Sequence, residues 1–302
     1  MIAGGSTPVI IMSTYNGMRY VAAQIDSIRA QTVSDWRLIV RDDGSRDDTV
    51  AILSAYAARD QRIAIVRGAN IGVIESFFEL LAMVGPEAPY VVLSDQDDIW
   101  HPTKLAVHAS ILADGPSADA DVPIMNYSAL RLVDEAGAPL PGQYAGFSTP
   151  VFASLLVENK VPGCTMAINQ CARRLIVENL PAFDRLVMHD WWITTVISAF
   201  GKIVASTDVL VDYRQHGANV VGIKTGMAGQ MQRARRVMQG RGGSRLLSQI
   251  SELMRVFENR LSITKRQAID RLLTAGDGNG LQRLVGSLDR SFFRTSLSDD
   301  IA

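Results

Sequence analysis

Cysteine is scarce. Two occur in 302 residues, Cys164 and Cys171, and no CxxC pair exists. That spacing argues against a zinc site and a disulfide framework, and a reducing cytoplasm is the expected setting. Charge of either sign is also lacking in excess. Thirty basic residues against 31 acidic ones leave a net charge of −1, so no global field recruits nucleic acid, and none is expected as a partner. No GxGxxG follows the first apolar run and no GxxxxGK[ST] occurs anywhere. The dinucleotide-binding and P-loop folds thereby lose their phosphate-cradling glycines. Long apolar runs are missing too: segments such as Trp191–Phe200 are too short to span a bilayer. The first residues, MIAGGSTPVIIMS, lack the basic start and apolar core of a secretion signal.

What the chain does have is an alternation. Short apolar runs at Pro8–Met12, Trp36–Val40, Ile63–Val66 and Tyr90–Leu93 read as buried strands. Helical spacing fills the gaps at Tyr20–Thr32, Asp47–Tyr56 and Ile74–Met83. This β-α-β order predicts an α/β fold, a mostly parallel sheet flanked by helices with right-handed crossovers. Ligands in such sheets bind beyond the carboxyl ends of the strands. The polar turns STYNG, RDDGS, NIG and SDQDD all stand at those ends, so they are expected to meet in one crevice.

The last turn carries three carboxylates in four residues: Asp95, Asp97 and Asp98. In extended backbone, residues two apart share a face, which predicts Asp95 and Asp97 in one pocket. Carboxylates this close repel one another unless a cation neutralises them. Oxygen ligands suit a hard divalent ion, Mg²⁺ or Mn²⁺, which also holds phosphate.

In their order and spacing, STYNG, RDDGSRDDT, NIG and SDQDDIWHP resemble the family 2 inverting glycosyltransferases of the GT-A fold, over about Pro8 to Gly222. DQDDIW, GCTM, HDWW and YRQHG resemble the bacterial rhamnosyltransferase branch. The resemblance implies roles. Asp43 reads the N–H of a uracil or thymine base, Tyr15 stacks on it and Ser13 reaches it by hydrogen bonding. Asn70 and Gly72 form a further nucleotide loop, although Ser76 stands where the family often has Arg or Asn. Asp95 touches the ribose or a metal-bound water, Asp97 ligates the metal, and Asp98 orients the sugar. His216, after the last strand, is a second metal or diphosphate ligand. Asp190, in an acidic-doublet position occupied here by His189-Asp190, is the base that takes the acceptor's proton. Trp191 and Trp192 offer an apolar wall to the acceptor sugar, with His189 beside them. Trp191 and Trp192 read equally well as core.

The rest of the chain is less regular. Lys104–Leu112 reads as a helix, Ile124–Leu132 as a strand ending in a turn at Asp134–Gly137, and 139–150 as a long loop, a candidate lid. Lys202–Ala205 and Val209–Tyr213 read as two strands. Cys164 reads as a small buried residue. From Ile223 to Arg245 the chain is basic and free of acids, with Met227, Met231 and Met238 interleaved and Gly240, Gly242 and Gly243 as a hinge. That pattern suits docking onto the inner face of an anionic membrane, or equally a helical cap with a solvated basic face. The expected organisation is a GT-A domain over 1–222 and a helical extension over 223–302. The implied reaction is sugar transfer, from dTDP-rhamnose or else a UDP-hexose, to a saccharide, lipid-linked or free, of a growing surface polysaccharide. A nucleotidyltransferase and a non-catalytic nucleotide-sugar-binding module are the rivals.

Overall fold

The four apolar runs become four parallel strands. In the computed structural model, which describes residues 7–113, 121–144, 149–217 and 241–275, β1 (Val9–Thr14) lies between β2 (Arg37–Asp42) and β4 (Tyr90–Ser94), with β3 (Ile63–Arg67) outside β2. Successive side chains alternate between faces. Val9 and Ile11 therefore enter one core with helix α3 (Val73–Met83), while Ile10 and Met12 enter a second with α1 (Val21–Arg29) and α2 (Thr49–Ala57). Burial on both faces is why these runs lack polar alternation.

Beyond β4 the sheet becomes mixed. β8 (Met166–Asn169) runs antiparallel to β4 and to β6 (Ile124–Val133), and β9 (Lys202–Arg214) runs parallel to β6. The two-residue strand β5 (Ile99–Trp100) pairs antiparallel with the far end of β9. Helix α4 (Lys104–Leu112) follows β5 with the predicted bounds. The two short strands expected at 202–213 are one strand: β9 stays continuous and absorbs register shifts opposite Tyr127–Leu130. The loop expected at 139–150 is in part a strand, because β7 (Pro139–Tyr144) folds back on β6 after the turn at Asp134–Gly137. The candidate lid is thus reduced to the stretch after Tyr144, and 145–148 lie outside the described residues.

Helices α5 (Phe152–Leu155), α6 (Gln170–Val177) and α7 (His189–Phe200) cover the first core. Two further helices, α8 (Arg241–Phe257) and α9 (Ile263–Ala275), close it. The apolar stripe Leu246, Ile250, Leu253 and Phe257 is buried in the same cluster as Trp192 and Ile193. Gly242 and Gly243 sit within α8 and so are not a hinge. Most of the basic 223–245 segment, with its proposed membrane contact, lies outside the described residues. No described helix is long and apolar enough to cross a membrane.

Polar groups of α8 reach the segment just before α7. Glu252, fully buried, accepts the Ala182 N–H at 2.6 Å and pairs with Arg255, while Gln249 accepts the Val187 N–H at 2.8 Å. Helix α8 therefore fixes the chain that leads into His189-Asp190.

Candidate active site at the carboxyl ends of the strands

The four polar turns meet. Gln96 bonds the backbone of Tyr15 in both directions, at 3.0 and 3.1 Å. The Asn16 N–H donates to Ser45 at 2.9 Å, and the Gly17 N–H to Thr49 at 2.8 Å. Asp43 accepts the Ile71 and Gly72 N–H groups, both at 2.9 Å, so it closes the second turn on the third. Two glycines make that approach feasible. Gly44 has φ +78°, and a Cβ there would lie 3.2 Å from the Asn70 nitrogen; Gly72 has φ +85°.

Asp43 is 2% exposed and rests on a buried arginine that sequence reasoning missed. Arg41 donates to Asp43 and to Glu79, both at 2.5 Å, and lies 3.4 Å from the Ser76 hydroxyl. Ser76 in turn shares a 2.7 Å hydrogen bond with Ser13. Tyr15 is 43% exposed, open for stacking. Asp42 serves the turn, accepting the Ser45 N–H and hydroxyl.

The acidic turn is bent, and this changes its geometry. Gln96 and Asp97 are bends rather than extended residues, so strand alternation does not set which carboxylates lie closest. Asp95 gathers with Asp98 and Cys164, their ligand atoms within 4.8 Å of one another. Asp97 turns to His216, whose Nε2 lies 2.8 Å from its carboxylate. The β5–β9 pairing produces this meeting, because it lays the end of β9 beside the acidic turn. Arg214 completes the junction: its N–H donates to Asp98 and its Nε to the Asp97 carbonyl, at 3.1 and 2.9 Å. Tyr20 stacks on His216 with ring centroids 4.7 Å apart and carries the Arg214 guanidinium over its face at 4.9 Å.

Burial and mutual repulsion perturb these acids. Burial, then Asp98 and Asp97, raise the Asp95 carboxyl well above its ordinary range. Burial and Asp97 raise Asp98 to about 7. Two carboxylates raised by burial and by their acidic neighbours fit a divalent cation. The Asp97–His216 pair is its more open donor set, since Asp98 and Cys164 are fully buried.

Two consecutive residues join this cluster to the second chemical centre. Cys164 abuts Asp95 and Asp98, and the Gly163 N–H donates to Asp190 at 3.0 Å. The Trp191 N–H supplies a second bond to Asp190 at 2.6 Å. Burial nevertheless raises the Asp190 carboxyl from 3.8 to about 6. That value suits a group that must be ionised near neutral pH and then accept a proton.

The comparisons bear on this geometry. Residues 9–140 match the family model described as Glycosyl transferase family 2. The chain is 28% identical over 225 residues to the dTDP-rhamnosyl transferase RfbG of Shigella flexneri, covering 70% of this chain and 73% of that one. Residues 9–140 carry a glycosyl transferase family 2 domain. A 124-residue stretch is 32% identical to the bifunctional glycosyltransferase pgtA of Dictyostelium discoideum, covering 40% of this chain but 16% of that much longer protein. The fold matches Staphylococcus aureus TarS 1–349 in complex with UDP, with TM-score 0.59 at 14% identity over 95% of this chain and 74% of that one. It also matches the mannosyltransferase PcManGT of Pyrobaculum calidifontis in complex with GDP-Man and Mn²⁺, with TM-score 0.55 at 15% identity over 97% and 76%. These similarities establish a GT-A glycosyltransferase fold.

Two of the expected acceptor contacts do not survive in this geometry. Trp192 is fully buried with its ring 6.3 Å from that of Phe257, so it cannot wall an acceptor; Trp191, half-buried, donates its ring N–H to Leu155. His189 is 4% exposed and stacked on Phe77 at 4.0 Å, with neither ring nitrogen hydrogen-bonded and its pKa depressed by burial to about 3. It cannot reach an acceptor. Asp98 is fully buried, and one of its oxygens accepts the Arg214 N–H. Asn70 is exposed at the mouth of the crevice. The remaining histidines serve packing and the sheet: His108 bonds Asn126 at 2.7 Å and His101 bonds Asp212 at 3.0 Å.

Proposed function

We propose that the protein transfers a hexose from a pyrimidine nucleoside diphosphate to a saccharide hydroxyl, with inversion at the anomeric carbon. One observation carries the reading: the Gly163-Cys164 turn touches Asp190 on one side and the Asp95–Asp98 cluster on the other. Transfer needs this adjacency, because the attacking hydroxyl and the departing diphosphate meet at the same carbon. Asp190 takes the hydroxyl proton as its oxygen bonds to that carbon from the face opposite the leaving group. The bond to the diphosphate breaks, and the nucleoside diphosphate leaves with the electron pair.

Asp97 and His216 are the residues that would hold a divalent cation, Mg²⁺ or Mn²⁺. Such an ion supplies positive charge to the departing diphosphate. A carboxylate has about four acceptor sites, and three protein donors already engage Asp43. One lone pair remains for the imide N–H of uracil or thymine, with Tyr15 stacking on the base and Ser13, Asn70 and Gly72 lining the crevice. Asp95 faces the ribose. The 28%-identical dTDP-rhamnosyl transferase favours dTDP-rhamnose over a UDP-hexose, and a growing surface polysaccharide as acceptor. Residues 1–222 form the transferase domain, with the helices after Arg241 closing its core.

Calorimetric titration with dTDP, UDP, GDP and NAD, each with and without Mn²⁺, tests the reading. Tighter binding of dTDP or UDP in the presence of Mn²⁺ is expected. Preference for NAD, or no nucleotide binding, contradicts it.

A further inference from the structure

Lys104 opens helix α4, yet its side chain is fully buried. Two physical trends oppose this. A buried ammonium costs several kcal/mol unless well paired, and a cation at a helix N-terminus meets the positive end of the helix dipole. A lysine at such a position would ordinarily extend its chain to water. Here its ammonium donates to the Cys164 carbonyl and lies 3.8 Å from the centre of the Trp100 ring. Asp98 and Asp95 supply the countercharge, although burial still lowers its pKa to about 8.

The Cys164 carbonyl belongs to the turn whose preceding N–H holds Asp190. That turn is packed closely against the base. A Cβ added at Gly163 would lie 3.3 Å from both the Asp190 Cβ and His189 Nε2. We propose that Lys104 is a positioning residue for the transfer step: its buried ammonium pins the Gly163-Cys164 turn, and through the Gly163 N–H it fixes Asp190. Lys104 has no surface to offer a substrate, so it acts only through the turn. The proposal rests on the reading of Asp190 as the base.

The test compares Lys104→Met, an unbranched apolar side chain one atom shorter that removes charge and donor, with Lys104→Gln, which keeps an N–H donor without charge. Four quantities are read: nucleotide affinity by calorimetry, kcat and KM, the pH profile of kcat, and hydrogen exchange at the Gly163 amide. In Lys104→Met, nucleotide affinity should stay within about threefold, while kcat falls about 100-fold, as expected when a base is misplaced by an ångström. Gly163 exchange should speed up by about tenfold or more. The acid limb of kcat should move to higher pH, because Asp190 loses a donor that favours its ionised form. Asp95, just after β4, acts electrostatically on Asp190, and His189, kept neutral by burial, precedes it on α7. Lys104→Gln should recover part of kcat and the Gly163 protection. Wild-type kcat and exchange in a folded Lys104→Met protein would overturn the inference. If Lys104→Met does not fold, Lys104→Gln is compared with wild type by the same measurements: reduced kcat with faster Gly163 exchange supports the proposal, and wild-type values of both overturn it. The exchange arm reads out even if wild type transfers no sugar, and in that case it is the transferase reading that fails.

Discussion

Replacing Asp190 with Asn should separate activity from stability. The carboxyl is 7% exposed and its pKa stands at about 6 against an ordinary 3.8. At about 1.4 kcal/mol per pH unit, ionised Asp190 costs the fold about 3 kcal/mol at neutral pH. Because the folded pKa is the higher one, this penalty is absent below about pH 3.8 and complete above about pH 6. Asn removes the charge but brings a cost of its own. The two carboxylate oxygens accept N–H groups from Gly163 and Trp191, and an amide offers one oxygen. One N–H is left facing another, at about 1–3 kcal/mol. Asp190→Asn should therefore be as stable as wild type at pH 7.5, or more stable by up to about 2 kcal/mol, as read by urea unfolding. Near pH 4 that advantage should vanish and reverse. Sugar transfer should fall about 10²- to 10⁴-fold, the range for loss of a general base. A variant that is less stable at neutral pH and still turns over at the wild-type rate would refute both the burial argument and the assignment of the base.

Three further outcomes follow from the same structure. His189→Met should be neutral or slightly stabilising at pH 7.5, since it removes two unsatisfied ring nitrogens while keeping contact with Phe77. The folded histidine resists protonation down to about pH 3, so wild type loses stability as pH falls below 6.5, and the variant should lead by about 2 kcal/mol at pH 5 in acid denaturation. Glu252→Ala should cost about 1–3 kcal/mol at pH 7, because it strands the Ala182 N–H. Burial raises the Glu252 pKa, but the hydrogen bonds from Arg255 and the Ala182 N–H, with the Arg255 and Arg185 charges, together leave it lowered, so the gap should narrow as pH drops below 4.5. His216→Ala should weaken nucleotide binding at least about tenfold in the presence of Mn²⁺ and leave metal-free binding unchanged by calorimetry.

The half of the fold that is simplest in physical terms was the most legible. Ile10, Ile11 and Met12 announce a strand buried on both faces, and the turns after such strands fall where ligands bind, so the crevice could be placed from sequence. Local patterns failed where a distant segment decides the outcome. Strand alternation stops at the bends of Gln96 and Asp97, and the end of β9 supplies the His216 that Asp97 meets. Trp191 and Trp192 look alike in sequence, and the packing of α8 against α7 determines which one is buried. Lys104, at a helix start, reads as solvated, and no neighbour within ten residues reveals the Cys164 carbonyl that draws it inward. Gln249 and Glu252 hold a segment more than sixty residues upstream.

The most direct test follows the product by proton NMR, with one nucleoside diphosphate sugar of known anomeric configuration, Mn²⁺ and a saccharide acceptor. The account predicts release of the nucleoside diphosphate and a new glycosidic bond of opposite configuration, both lost in Asp190→Asn. A product of retained configuration, or undiminished transfer in that variant, would contradict it.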